Sequence, residues 1–205
     1  DRLAHDALAA HLARLSPETP VVSEEEVASV RAEPAFPYWL VDPIDGTASF
    51  VQGFPGFVVQ LALMDEAGPV QACVYAPAWD ELFTATRGAG AFVNGRALSC
   101  GATGRHALID NYPEPRGIAA EAMDALGFTH YVESGSIGLK ICRVADGHAD
   151  LFVKDVPVRD WDLAPGDLIL TEAGGRLTNL HGRPCAYSGR GVHAGVAAAA
   201  SRDLH

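Results

Sequence analysis

From Phe57 to Leu98 the chain alternates short apolar runs with turn signals. Phe57 to Met64 and Val70 to Tyr75 have strand character, separated by Asp65-Glu66-Ala67-Gly68. A further strand pair flanks Asn94-Gly95, a two-residue hairpin signal. Residues 57–98 therefore read as an antiparallel meander and not as βαβ units. The second half differs. Strands are expected at Ala107 to Asp110, Tyr131-Val132, Leu151 to Val153 and Val196 to Ala200. Helices are expected at Ile118 to Leu126, Ile137 to Ala145 and Asp162 to Ala173, the last stopped by Gly174-Gly175. Upstream, a helix starts at once from Asp1, with Leu3, Leu8, Leu12 and Leu15 assigned to one face and Ser16-Pro17 as its end. This order predicts a layered α/β or α+β body with two sheets and a possible sub-domain boundary near residue 100.

Composition narrows the class. The 205 residues carry 15 basic and 26 acidic side chains, a net charge of −11, and 48% are hydrophobic. That apolar share supports a buried core and argues against disorder. The acidic balance argues against a nucleic-acid polymer as partner, because such affinity comes mainly from Lys and Arg at phosphates. No apolar run reaches the roughly 18 residues that cross a bilayer, and no signal segment opens the chain. Cys73, Cys100, Cys142 and Cys185 form no CxxC pair, a spacing that fits reduced, mostly buried thiols in a cytoplasmic protein better than a zinc site or a disulfide framework. The start at Asp1, without Met, reads as a fragment of a longer chain.

Three acidic clusters stand at the ends of apolar runs: Glu24-Glu25, Asp42 with Asp45, and Asp160 with Asp162. Asp42 and Asp45 flank Pro43-Ile44, and a tight turn there aims both carboxylates and the Ile44 carbonyl at one point. An all-oxygen donor set without His or Cys suits Mg²⁺ better than zinc. Gly46-Thr47 follows directly. Gly permits close backbone approach, and a helix starting there offers free N–H groups to an anion. The plainer readings are an N-cap for Asp160, surface charge for Glu26 and core packing for Trp79 and Trp161.

Asp42-Pro-Ile-Asp-Gly-Thr47, with Trp39 before it and Phe50 after it, resembles the first signature of the inositol monophosphatase superfamily. Trp161-Asp162-Leu-Ala-Pro-Gly166, followed by Thr171-Glu-Ala-Gly-Gly175, resembles the second, about 120 residues on, and Ser23-Glu24-Glu25 resembles the upstream acidic motif. The resemblance runs from Asp1 to about Ala200. It implies the alternating α/β/α/β/α sandwich of the sugar phosphatases, with that family's opening helix missing. It also implies a single phosphatase domain over 1–205, with sub-domains 1–104 and 105–205. By the same resemblance, Glu24, Asp42, the Ile44 carbonyl, Asp45 and Asp162 bind two or three Mg²⁺ ions, with Glu25 acting through water. Gly46 and Thr47 hold the phosphate, and Thr47 with Asp1 orients the attacking water. Gly135, Ser136 and Asp155 contact the organic part of the substrate.

The implied reaction is hydrolysis of a small phosphate monoester by metal-activated water. Two substrates compete. Pro20 to Glu25, Tyr38 to Asp42, Val74 to Pro77 and Leu139-Lys140-Ile-Cys142 resemble bacterial 3'(2'),5'-bisphosphate nucleotidases, and this reading leads. Lys140 would meet the second phosphate; the plainer alternative is a solvated helix lysine. Ala48-Ser49 departs from the Lys-Glu pair usual in those nucleotidases, and Phe50 to Pro55 and the acidic Asp155 look more like an inositol-1-monophosphatase. A third possibility, of another class, is a catalytically inactive binding or assembly subunit. The family also makes a homodimer possible. No membrane partner is expected.

Overall fold

The computed structural model describes residues 1–26, 34–101, 106–201 and 204. In chain order the elements are α1 (Arg2–Leu15), β1 (Val21–Ser23), a 3-10 turn (Glu24–Glu26), β2 (Tyr38–Asp45), α2 (Thr47–Gln52), β3 (Val58–Asp65), β4 (Gly68–Ala76) and β5 (Glu81–Thr86). Next come β6 (Gly90–Val93), β7 (Arg96–Ala97), β8 (Ala107–Asp110), α3 (Ile118–Leu126), β9 (His130–Glu133), α4 (Ile137–Ala145) and β10 (Leu151–Lys154). The chain closes with β11 (Val158–Arg159), α5 (Asp160–Glu172), β12 (Arg176–Asn179), β13 (Val192–His193) and β14 (Val196–Ala199).

The first sheet runs β1 to β7 in sequence order, antiparallel throughout except for the parallel pair β1 and β2. The expected meander is its larger part. Residues alternate buried and half-buried along β3, the period of a strand with one face on the core. The second sheet has the order β12-β14-β10-β8-β9, with β10, β8 and β9 parallel. Helices α4 and α5 lie between the sheets: α5 contacts β2 to β6 and β12, and α4 contacts β3, β4, β10 and β14. Helix α1 packs on β1 and β2, and α3 packs on β8 and β10. The layers thus alternate α/β/α/β/α, as the resemblance implies. One core cluster joins both sheets through Val58, Phe83, Leu139, Ile141, Phe152 and Ile169. Helix α5 is buried nearly all round, as a helix clamped between two sheets must be. The sub-domain junction expected at 104–105 lies outside the described residues.

Three expectations are corrected. Helix α1 does not bury the four leucines as one face: Leu12 is buried together with His5, whereas Leu3 and Leu15 are exposed. At about 100° per residue, Leu3 falls opposite Leu12 and His5 falls beside it. Trp79 is not core; it is 44% exposed, with the Arg143 guanidinium 5.4 Å from its ring, whereas Trp161 is buried. Asp160 and Asp162 do not act as one cluster. Asp160 turns into the protein and accepts from Ser188 N (2.9 Å), Gly191 N (2.8 Å) and His193 Nε2 (2.8 Å).

This buried knot ties the segment after β12 to the start of α5. The bond to Asp160, helped by Cys185, raises the His193 pKa to about 9. A raised imidazole pKa stabilises the fold fully below the unfolded value near 6.5, and that contribution is lost as pH rises through about 9. Thermal melts should therefore show the wild-type Tm falling between pH 7 and pH 9.5 by about 2–4 °C more than that of His193→Gln. This corresponds to about 1 kcal/mol in a chain of this length, after discounting for partial exposure.

Candidate active site

The site begins with a fault in the first sheet. Asp42 pairs with Gln60 and Asp45 with Val58, so two residues of β2, Pro43 and Ile44, oppose the single Val59. Such a bulge bends the strand and re-aims its side chains. Proline suits the position because it has no N–H to give to a ladder. Asp42 Oδ1 accepts from Ile44 N at 3.1 Å, which fixes the turn. The next residue, Gly46, has φ +89°, a left-handed conformation open to glycine, and it caps α2. The first N–H groups of α2 have no intrahelical acceptor.

The bulge, the 3-10 turn and α5 bring acidic groups together. One carboxylate oxygen from each of Asp42, Asp45 and Asp162 lies within 4.8 Å of the other two. Glu24, in the 3-10 turn after β1, is exposed beside this group and interacts with Asp42 and Asp45 without joining the three. Asp162 Oδ2 also accepts from Arg159 N at 2.7 Å, a cap on α5 that fixes its orientation. Asp45 is anchored by Gly138 N (2.6 Å), Ile137 N (3.3 Å) and Gln60 Nε2 (3.2 Å). The N-terminus of α4 therefore points its first amides at Asp45.

Crowding and burial raise these groups together. Asp42 is pushed well above the usual carboxylate range by burial and then by Asp45, Glu24 and Asp162. Asp162 rises to about 7, through burial and then Asp45. Asp45 is raised by burial despite its amide donors, and Glu24 by partial loss of water and then by the charges of Asp45 and Glu25. An all-oxygen cluster that resists its own ionisation fits a hard divalent cation.

Beside the cluster, Thr47 Oγ1 lies 3.2 Å from both Asp1 Oδ2 and the Ile44 carbonyl oxygen. Its single proton serves one of them at a time. Glu25 is half-buried in the 3-10 turn, its N–H 3.4 Å from Ser23 Oγ. Gly135 and Ser136 form the turn between β9 and α4, and Ser136 Oγ caps α4 by accepting from Leu139 N at 2.9 Å. Ser136 N donates to the Gly56 carbonyl at 2.5 Å, so this turn meets the segment following α2. Asp155 is exposed just past β10. Lys140 is fully buried, which removes the reading of a solvated helix lysine and leaves its ammonium no surface to offer an incoming phosphate. Burial pulls that ammonium down to about 7, against Asp110 and Asp45.

Two polar residues at the site carried no motif. Gln60 is fully buried and holds Asp45; its signal was a polar side chain at an inward position of the alternating β3. Asn111, after β8, holds the Gly135 carbonyl at 2.6 Å, and no local pattern marks it.

The inositol monophosphatase family model matches residues 1–204. The chain belongs to the inositol monophosphatase family. Members of this family are metal-dependent phosphatases. An inositol monophosphatase of Dictyostelium discoideum is 35% identical over 178 residues, covering 78% of this chain and 62% of that protein, so the chain spans under two thirds of that relative. The 3'(2'),5'-bisphosphate nucleotidase CysQ of Escherichia coli is 32% identical over 199 residues, covering 93% of this chain and 78% of its own. Inositol monophosphatase II of Staphylococcus aureus has the same fold, with a TM-score of 0.84 at 26% identity, covering all of this chain and 78% of that one. Among the described residues no helix is long and apolar enough to cross a membrane.

A carboxylate whose folded pKa is raised costs stability once pH exceeds its unfolded value, so the metal-free chain carries its full penalty above about pH 7. Mg²⁺ at about 100 times its Kd should add about 2.7 kcal/mol, or about 5–10 °C in Tm. The increment should grow from pH 5.5 to pH 7.5, measured by scanning fluorimetry. Asp162→Asn should raise the metal-free Tm and at least halve the increment.

Proposed function

We propose that this chain hydrolyses a phosphate monoester of a small polyol, with water as nucleophile and no covalent enzyme intermediate. The observation that carries this is the convergence of Asp42, Asp45 and Asp162 oxygens within 4.8 Å, next to a helix start and a hydrogen-bonded threonine. Glu24, Asp42, the Ile44 carbonyl, Asp45 and Asp162 would hold divalent cations, Mg²⁺ by donor chemistry, with Glu25 assisting through water. Bound there, such ions neutralise phosphoryl charge and acidify water.

The chain's own residues do the rest. The amides of Gly46 and Thr47 hold the phosphate at the start of α2. Thr47 Oγ1 donates its hydrogen bond to Asp1 Oδ2 and so turns a lone pair toward the attacking water, which then donates to Thr47 with its own lone pair aimed at phosphorus. No Cys or His flanks the cradle to act as nucleophile. Gly135, Ser136 and Asp155 take the organic part, and an exposed carboxylate such as Asp155 suits polyol hydroxyls.

A bisphosphate nucleotide is the second reading, favoured by the similarity to CysQ over 93% of the chain. Its support from Lys140 as a contact to the second phosphate is withdrawn by the burial of that side chain. Direct comparison of phosphate release from inositol 1-phosphate and adenosine 3',5'-bisphosphate, with Mg²⁺, separates the two. The expected outcome is higher kcat/KM for inositol 1-phosphate. Asp45→Asn should lower kcat by at least about 100-fold while leaving Tm within a few degrees of wild type. Absence of release from any ester, including an aryl phosphate, with Mg²⁺ or Mn²⁺ would leave the inactive binding subunit as the function.

A further inference from the structure

Lys140 is the one lysine on α4, and its side chain is completely buried. An ammonium out of water costs several kcal/mol unless its surroundings compensate, and a Leu or Met would fill the same space without that cost. Its partners are specific. Lys140 Nζ donates to Asn111 Oδ1 and, at 3.3 Å, to the Gly135 carbonyl. Asn111 Nδ2 donates to the same carbonyl at 2.6 Å. The buried carboxylate of Asp110 lies 3.9 Å from Nζ and is itself paired with Lys154 at 2.9 Å, and the Phe152 ring lies 4.9 Å away. The Gly135 carbonyl thus receives two donors, one of them charged.

The other side of Gly135 is equally constrained. A Cβ there would collide with the Gly56 carbonyl, in the segment after α2, and with Ser49 Oγ, within α2. The following amide, Ser136 N, donates to that same Gly56 carbonyl. Gly135 is therefore pinned between the Lys140–Asn111 pair and the phosphate helix.

We infer that Lys140 and Asn111 act as positioning residues: they clamp the Gly135 carbonyl and so set the distance between the phosphate cradle and the turn that receives the organic part of the ester. Lys140 acts through the peptide and does not touch substrate. The inference rests on the proposed phosphatase reading for its kinetic consequence, but the clamp itself is a property of the turn. A clamp of this kind governs esters large enough to reach Gly135 and Ser136 more strongly than a small generic ester.

The test compares wild type with Lys140→Met and with Asn111→Ala, the latter at an exposed position that leaves the core intact. Both variants should raise KM for inositol 1-phosphate about tenfold, with kcat changed less than about threefold. The KM for p-nitrophenyl phosphate should move less than about threefold. Amide exchange across residues 134–139 should accelerate at least about tenfold in both, with exchange in β3 and β4 unaltered. Unchanged KM and unchanged exchange in Asn111→Ala would overturn the clamp. So would an equal loss on both esters with uniformly faster exchange, which would make Lys140 a core residue only. Loss on adenosine 3',5'-bisphosphate alone, in Lys140→Met and not in Asn111→Ala, would overturn it in favour of direct contact. Should Lys140→Met fail to fold, Asn111→Ala decides. Should the wild type hydrolyse no ester, the functional reading fails, while the exchange measurement still judges the clamp.

Discussion

Carboxylates whose oxygens lie within 4.8 Å of one another repel, yet the fold holds Asp42, Asp45 and Asp162 together by attaching each to a different support. Asp42 is fixed by its own turn, Asp45 by the amides of α4 and by Gln60, and Asp162 by the cap of α5. None of these supports neutralises charge, so the geometry is retained and the repulsion persists. That combination is what a site for hard cations requires: oxygens preorganised, and a free-energy reward reserved for the ion. The two sheets, the bulge in β2 and the placement of α4 and α5 between the layers all serve this one convergence.

The helices between the sheets do double service. Helix α5 carries Asp162 at its first turn and buries Trp161, Leu163, Ile169 and Leu170 in the same stretch. Helix α4 supplies amides to Asp45 while Leu139, Ile141 and Val144 pack in the common core. Apolar packing of about 0.8 kcal/mol per buried methylene thereby stabilises a charged arrangement that would disperse by itself. The knot of Asp160, Ser188, Gly191 and His193 holds the start of α5 from behind.

Much of this was legible in the chain. The ends of α3 and α4 follow from apolar periodicity and Gly or Ser punctuation, and the meander follows from alternation and the Asn94-Gly95 turn. The acidic motifs pointed to the residues that meet, because each stood at the end of an apolar run. The rest depended on tertiary context. Short strands such as β11, β12 and β13 pair with distant segments and carry little pattern of their own. His5 takes a buried place beside Leu12 through its bond to Ser23 Oγ, a contact that hydropathy cannot anticipate. Asp160 and Asp162 are two apart on a helix, so their side chains diverge, and only the structure separates their roles. Lys140 looked like a surface charge because its buried partners, the Asp110 carboxylate and the Asn111 amide, lie about 30 residues away in sequence.

The anchoring of Asp45 has a mechanical side. Its carboxylate accepts the opening amides of α4, and α4 bridges the sheets and begins at Ser136. Shifting the start of α4 would shift Asp45, one of the three carboxylates that converge, while the supports of Asp42 and Asp162 lie on other elements. Because α4 also contacts β10 and β14, the position of one acidic oxygen is tied to the second sheet as well as to the first.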